Sequence, residues 1–267
     1  MFRYENSVAL DNVNFVVGTG VPEPASLGLL ALGDLLLHAF PDRIARQHPA
    51  DPEARTLLAE ALMDLRPWDY WTESGAPQEG IAEALSRLES VVARSPKHPG
   101  ACHFFIHAVE KIYPQRAVAC ADRLAALMPA AGHLVHMPAH IYARVGRWHD
   151  AVLANQRAIA ADDAYLAVCR ANVSGVYPLG YVPHNHHFLW FAASMEGNSA
   201  IARAAALETA KRTDLPELMR QPGFAALQHY WMTPWFDRVR FGRWDEIVGV
   251  PNPAPDLPYV SAIWHYA

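Results

Sequence analysis

The chain reads as an all-α protein, an array of antiparallel helix hairpins, on three observations. After about residue 35 the sequence is rich in Ala and Leu, with apolar residues recurring three and four apart. Pro and Gly clusters separate these segments, and no run of alternating strand residues follows residue 35. An internal period of 33 to 34 residues runs through the helical segments.

Composition bounds the function. The 267 residues suffice for one large or two small domains, and a hydrophobic content of 52% with 18% charged residues is that of a chain with a real core. A net charge of −5 carries no electrostatic footprint for nucleic acid or an anionic membrane surface. Cys102, Cys120 and Cys169 are odd in number and widely spaced, so they read as reduced thiols and not as a disulfide framework. Histidine is the outlier, with 14 in all and ten between residues 98 and 187.

Taken in order, residues 1–34 differ from the rest and are expected to be irregular. YENSVALDNVNFVV contains a short alternating run suited to a strand. The apolar stretch after VPEPAS is broken by Asp34 after about nine residues, short of the roughly 20 that cross a bilayer, so no membrane span is expected. EARTLLAEALMDL, GIAEALSRLESVVARS, RAVACADRLAALM, DAVLANQRAIAADDAY and SAIARAAALETAKR are the clearest helices of the 35–267 domain. Trp68, Asp69 and Trp71 of PWDYW read as packing at the end of a helix. Helices are also expected over 98–112, 132–145 and 183–195. Pro138 removes a backbone hydrogen bond inside the second of these, and either kinks that helix or starts a new one. An insertion of about 17 residues between Asp163 and Pro183 carries Tyr177 and Tyr181. It is either a lid over the histidines or a passive surface loop. PYVSAIWHYA reads as a helix cut off in mid-run, the expectation for an internal portion of a longer repeat protein.

The repeat register follows from small residues. EALSRLESVVARSP aligns with RAVACADRLAALMP at an offset of 33, matching Ala84 to Ala117, Leu88 to Ala121 and Pro96 to Pro129. A further 34 residues place Ala117 on Ala151, with Ala158 seven residues on. Gly146-Arg147-Trp148, Gly197-Asn198-Ser199 and Gly242-Arg243-Trp244 mark later turns, spaced 51 and 45 residues apart, so the later repeats carry insertions. Over residues 50–267 this pattern resembles the tetratricopeptide repeat. The resemblance implies an α-solenoid whose first helices line a concave groove, with ligand contacts from the second, fifth and ninth positions of each repeat.

In that register the histidines fall on groove positions. With Ala151 as position twenty, His133, His136 and His140 occupy two, five and nine. With Ala202 there, His184 and His187 occupy two and five; with Ile247 there, His229 occupies two. A one-residue deletion near Tyr113 places His103 and His107 at five and nine, with Glu110 three residues further on. An i, i+4 pair such as His103/His107 or His136/His140 lies about 40° apart around a helix, so both rings leave the same side. His38, His48, His98, His149 and His265 fit no such pattern and read as surface or packing residues, and His186 points about 100° away from its neighbours.

Such pairs can chelate one ion through neutral imidazole nitrogens, and pairs from neighbouring helices can complete a site. His103, His107, His136, His140, His184 and His187 are therefore the candidate ligands. His133, His229, Glu110, Tyr177 and Tyr181 are possible additions, Glu110 as an acceptor that orients a histidine. All-nitrogen ligand sets suit zinc, copper, iron or nickel alike. No HExxH motif is present, which excludes the familiar zinc-protease arrangement. Two readings stay open. In one, the groove holds a transition metal for storage, sensing or catalysis. In the other, a metal-free scaffold binds a peptide or a small acidic ligand through histidine donors.

Two further resemblances concern origin. Val21-Pro22-Glu23-Pro24 and the apolar stretch behind it resemble a fragment of a PEP-CTERM sorting signal, which belongs at the C-terminus of exported bacterial proteins. Here it lies near the N-terminus, and residues 1–34 read as a remnant of such a signal or a weakly ordered arm. The helical domain itself is expected in the cytoplasm. HPGACHFFIHAVE, AGHLVHMPAHIY and YVPHNHHFLW resemble His-rich helices of bacterial tetratricopeptide-like proteins, a kinship that implies a fold and a shared groove but no activity.

Overall fold

A computed structural model describes residues 41–169 and 177–267. The sorting-signal-like stretch, the N-terminal alternating run and His38 lie outside the described residues. Among the described residues the chain is helical, and extended pairing is limited to one isolated antiparallel bridge, Trp71 with Pro77. Among the described residues no helix is long and apolar enough to cross a membrane. Two compact units are distinguished. The N-terminal unit comprises residues 41–129 and Met137–Gly146; the C-terminal unit comprises Ala130–His136 and Arg147–Ala267.

In the N-terminal unit a helical stretch over residues 41–47 precedes α1 (Pro52–Asp64). Asp51 caps α1, its carboxylate accepting from the Ala54 amide at 2.9 Å, and Pro52 starts it with a φ already set for a helix. In α2 (Ile81–Arg94) the buried residues Ile81, Ala84, Leu85, Leu88 and Val91 form one stripe at helical spacing. The helix α3 (Pro99–Val109) is buried nearly all round, with Ala101, Cys102, Phe105, Ile106, His107, Ala108 and Val109 inside. It packs against α1, α2, α4 (Val118–Leu127) and α6 (Pro138–Arg144), which makes it the central helix of this unit. Trp71 is packed as expected near the end of a helix. It is 5% exposed, and its indole donates to the Ala108 carbonyl at 2.8 Å.

The expected 132–145 helix is two helices. In the C-terminal unit α5 (Gly132–His136) ends just before Met137, and α6 starts at Pro138 in the N-terminal unit. The proline ring cannot donate to the preceding turn, so of the two outcomes its position allowed, a fresh start is the one adopted.

The C-terminal unit is built on α7 (Trp148–Cys169), which packs against α5 and α8 (Val182–Glu196). One turn of π-helix, Tyr177–Tyr181, leads into α8. Then α9 (Ser199–Arg212) packs on α8, and the short helices α10 (Pro216–Met219), α11 (Ala226–Trp231), α12 (Thr233–Arg240) and α13 (Pro258–Tyr266) close a second apolar cluster. Met219, Leu227, Met232, Trp235, Leu257 and Val260 form the centre of that cluster. The α8–α9 corner shows how a turn is coded. Gly197 takes φ 86°, a left-handed conformation that a Cβ disfavours, and the Asn198 amide reaches back to the Ala193 carbonyl at 2.8 Å. Asn198 then caps α9, accepting from Ile201 at 3.2 Å. The alanines that set the repeat register (Ala84, Ala117, Ala151, Ala158 and Ala202) are all 0% exposed, as close helix packing requires.

Candidate metal centres

In the N-terminal unit the site grows out of α3. His103 and His107 stand one turn apart on it, and Glu110 caps its C-terminal end. The i, i+4 spacing brings Nε2 of His103 to 3.1 Å from Nε2 of His107. Glu110 is 1% exposed and receives two imidazoles. Its Oε1 lies 3.2 Å from Nδ1 of His107, and its Oε2 lies 2.7 Å from Nδ1 of His140 on α6. Burial acts to raise the Glu110 carboxyl, but His140 and His107 beside it outweigh that and hold it at about 2. An ionised carboxylate only accepts, so both Nδ1 atoms carry the hydrogen. In the neutral form of each ring the lone pair is then on Nε2. Trp68 stands edge-on to His107 at 5.0 Å, and His107 and His140 are 8% and 0% exposed.

In the C-terminal unit the corresponding pair is His136 on α5 and His184 on α8, both 0% exposed, with Nε2 atoms 3.0 Å apart. Nδ1 of His136 lies 2.7 Å from Oδ1 of Asn155 on α7. The Asn155 amide nitrogen donates to the Ala151 carbonyl at 2.8 Å, which fixes which end of the side chain is oxygen. His136 must therefore donate from Nδ1 and turn its Nε2 lone pair toward His184. Phe188 stands edge-on to His136 at 5.0 Å, on the apolar side of the pair.

The remaining candidates are placed as follows. His133 stacks on His136, with ring centroids 6.2 Å apart, and meets the Tyr181 ring edge-on at 4.8 Å. Tyr177 donates to Asp162 at 2.6 Å and stacks on Tyr181. His187 is 3% exposed and meets the His229 ring at 4.9 Å, and Nδ1 of His229 is 2.6 Å from the Tyr259 hydroxyl. Of the residues read as surface or packing, His149 pairs with Glu196 at 2.7 Å while 70% exposed. His98 does something more specific: its Nδ1 caps α3 by accepting from Ala101 at 3.1 Å. His186, expected to point away from its neighbours, is buried.

Sequence reasoning missed Asn155, Asp162, Asn185 and Gly132. Asp162 is 1% exposed and accepts from Asn185 at 2.7 Å as well as from Tyr177, and its carboxylate presses on the α-carbon of Gly132. A signal was available. Ala151, Asn155, Ala158 and Asp162 follow one another at spacings of four, three and four, so two polar residues interrupt a stripe that the alanines mark as buried.

The histidine clusters, part of them fully buried, place ring nitrogens closely enough to hold a metal ion. No family model matches the chain, and neither does any curated protein or solved structure.

Proposed function

We propose that the chain binds a transition-metal ion through its clustered histidines, with half-buried His103 and buried His107 and His140 of the N-terminal unit as one ligand set and Glu110 as the group that orients it. The observation that carries this reading is the single buried carboxylate shared by two imidazole Nδ1 atoms. Metal-bound histidines characteristically donate their second nitrogen to a carboxylate or carbonyl, which sets the tautomer and raises the basicity of the ligand atom. Glu110 does this for two rings at once. In the C-terminal unit, Asn155 gives His136 the same orientation toward His184. Imidazole sets suit zinc, copper, iron or nickel, and three imidazoles on one ion keep a further position for water or a substrate, as a metalloenzyme requires.

A metal-free scaffold that binds a peptide or small ligand is the competing reading. One observation favours it: separations of 3.0 and 3.1 Å between the paired nitrogens are ordinary hydrogen-bond lengths, so one proton can satisfy each pair. The helix pairs are proposed to be tetratricopeptide-like repeats, supported by the buried register alanines and by Gly146, Gly197 and Gly242 at left-handed turns. Elemental analysis of purified protein separates the two readings. Stoichiometric metal that disappears in His140→Ala is the expected result. A chain that stays metal-free after incubation with each of the four ions favours the scaffold.

A further inference from the structure

The C-terminal unit contains a third histidine cluster, in which the candidate ligand His187 meets His229 and neither belongs to the Glu110-oriented set or to the His136/His184 pair. His187 on α8 and His229 on α11 meet edge-on, with ring centroids 4.9 Å apart and an interplanar angle of 65°. The pairs His136/His184 and His103/His107 have centroid separations of 4.7 and 4.8 Å and nitrogens in hydrogen-bond contact. His187 differs from them. It is 3% exposed, and neither of its ring nitrogens has a hydrogen-bond partner. Aromatic packing accounts for its contacts with Trp190 at 5.2 Å and Tyr230 at 5.3 Å, but not for two buried polar atoms left without a partner. Such atoms are rare in folded proteins and mark a strained group or a place for a bound water or ion. The Trp190 indole nitrogen beside it is also buried without a partner. His229, for its part, is oriented as a ligand would be. Its Nδ1 is 2.6 Å from the Tyr259 hydroxyl, and when it donates there its lone pair is on Nε2.

We propose that His187 and His229 form a separate cation site that takes one divalent transition ion, such as zinc or copper(II), with Tyr259 as the acceptor that orients His229. Ligand nitrogens on one such ion lie about 2.0–2.1 Å from it and so roughly 3 to 4 Å from each other, a span compatible with this ring separation. Water completes the coordination, and the Trp190 N–H is placed to donate to it. With two protein ligands this site binds more weakly than the three-histidine set.

The experiment uses the full chain, stripped with a chelator. It is titrated with zinc by calorimetry and with copper(II) by tryptophan fluorescence, and Trp190→Phe identifies the local quenching. The expected result is an uptake step that His229→Ala removes and that Tyr259→Phe weakens about tenfold, the usual effect of losing an outer acceptor. The same step is expected to persist in His107→Ala/His140→Ala. That double variant tests the first centre separately, so either proposal can fail without the other. If His229→Ala and Tyr259→Phe both keep the parent's ion count and affinity, the site is overturned and the cluster is aromatic packing. Tyr259→Phe removes only a hydroxyl, so it decides the matter even if His229→Ala folds poorly.

Discussion

Glu110 can be tested with a change of one atom. Glu110→Gln preserves shape but leaves one oxygen to accept, so one of the two imidazoles must rotate or change tautomer and present an N–H where a lone pair stood. Metal affinity is expected to fall 10- to 100-fold by calorimetry. In the metal-free protein, the partner left unpaired in the core is expected to cost about 1–3 kcal/mol in denaturant unfolding. Unchanged affinity in this variant removes Glu110 from the site. His186 carries a second prediction at the same scale. Burial pushes its imidazole down to about 4, helped by the charge of Arg212 and opposed by Asp163. The folded chain therefore keeps His186 neutral, whereas the unfolded chain takes up a proton near pH 6.5. Stability is constant above that pH, falls as pH drops from about 6.5 to about 4, and is not lowered further by this group below it. The loss is on the order of 3 kcal/mol at most. Unfolding of chelator-treated protein across this range is expected to show a slope, and His186→Gln to reduce it by this group's share, since burial depresses His187 and His229 in the same direction.

Among the elements, α5 is the most sensitive to a small change. It is only five residues long, and it carries His133 and His136. Its first residue, Gly132, is in contact with the Asp162 carboxylate, and an added Cβ there would collide with Asp162. Asp162 cannot yield freely, because Tyr177 and Asn185 hold it from the π-turn and from α8. Gly132→Ala is therefore expected to destabilise the protein by about 1–3 kcal/mol, the usual range for overpacking, and to lower its melting temperature. A melting temperature equal to the parent's would mean that Asp162 moves aside at little cost. The same bonds give the segment ahead of α8 a definite attachment: Tyr177–Tyr181 is tied to α7 through Asp162.

For the whole molecule, the consequence of metal binding is a linkage to folding. An ion that binds only the folded chain raises its stability by about 2.7 kcal/mol at a concentration 100 times Kd. Protons compete for the same imidazoles, so metal affinity is expected to weaken as pH falls. Thermal unfolding with and without zinc at pH 7.5 and pH 5.5 reads this directly. The stabilising increment is expected to shrink at the lower pH, and an increment insensitive to pH would place the ion on other ligands. His149→Ala is the control: its exposed pair with Glu196 is expected to contribute little, and its removal to leave metal binding unchanged.

Much of the local structure was legible in the chain itself, since helix formation, capping and side-chain spacing depend on residues within a turn or two of each other. The apolar stripe of α2 and the one-sided placement of His103 with His107 follow from periods of three and four, and the Gly197-Asn198 turn from glycine's access to positive φ and the capping side chain of asparagine; none needs knowledge of the rest. Pro138 showed that the 132–145 helix was interrupted, but left a kink and a new start as equal alternatives. Contacts between distant residues were not legible. Glu110 meets His140 across 30 residues and His136 meets Asn155 across 19, whereas the meeting of His184 with His136 across 48 was expected in outline from their places in the repeat register. No periodicity encodes the first two, because they depend on how whole helices pack. The same holds for burial, which turns an ordinary Asn or Glu into the acceptor that sets a histidine's tautomer. The sequence by itself thus determined which side chains leave a helix together. Only the tertiary structure decided which acceptors they meet, because hydrogen-bond partners at van der Waals contact are selected by packing in three dimensions and not by position along the chain.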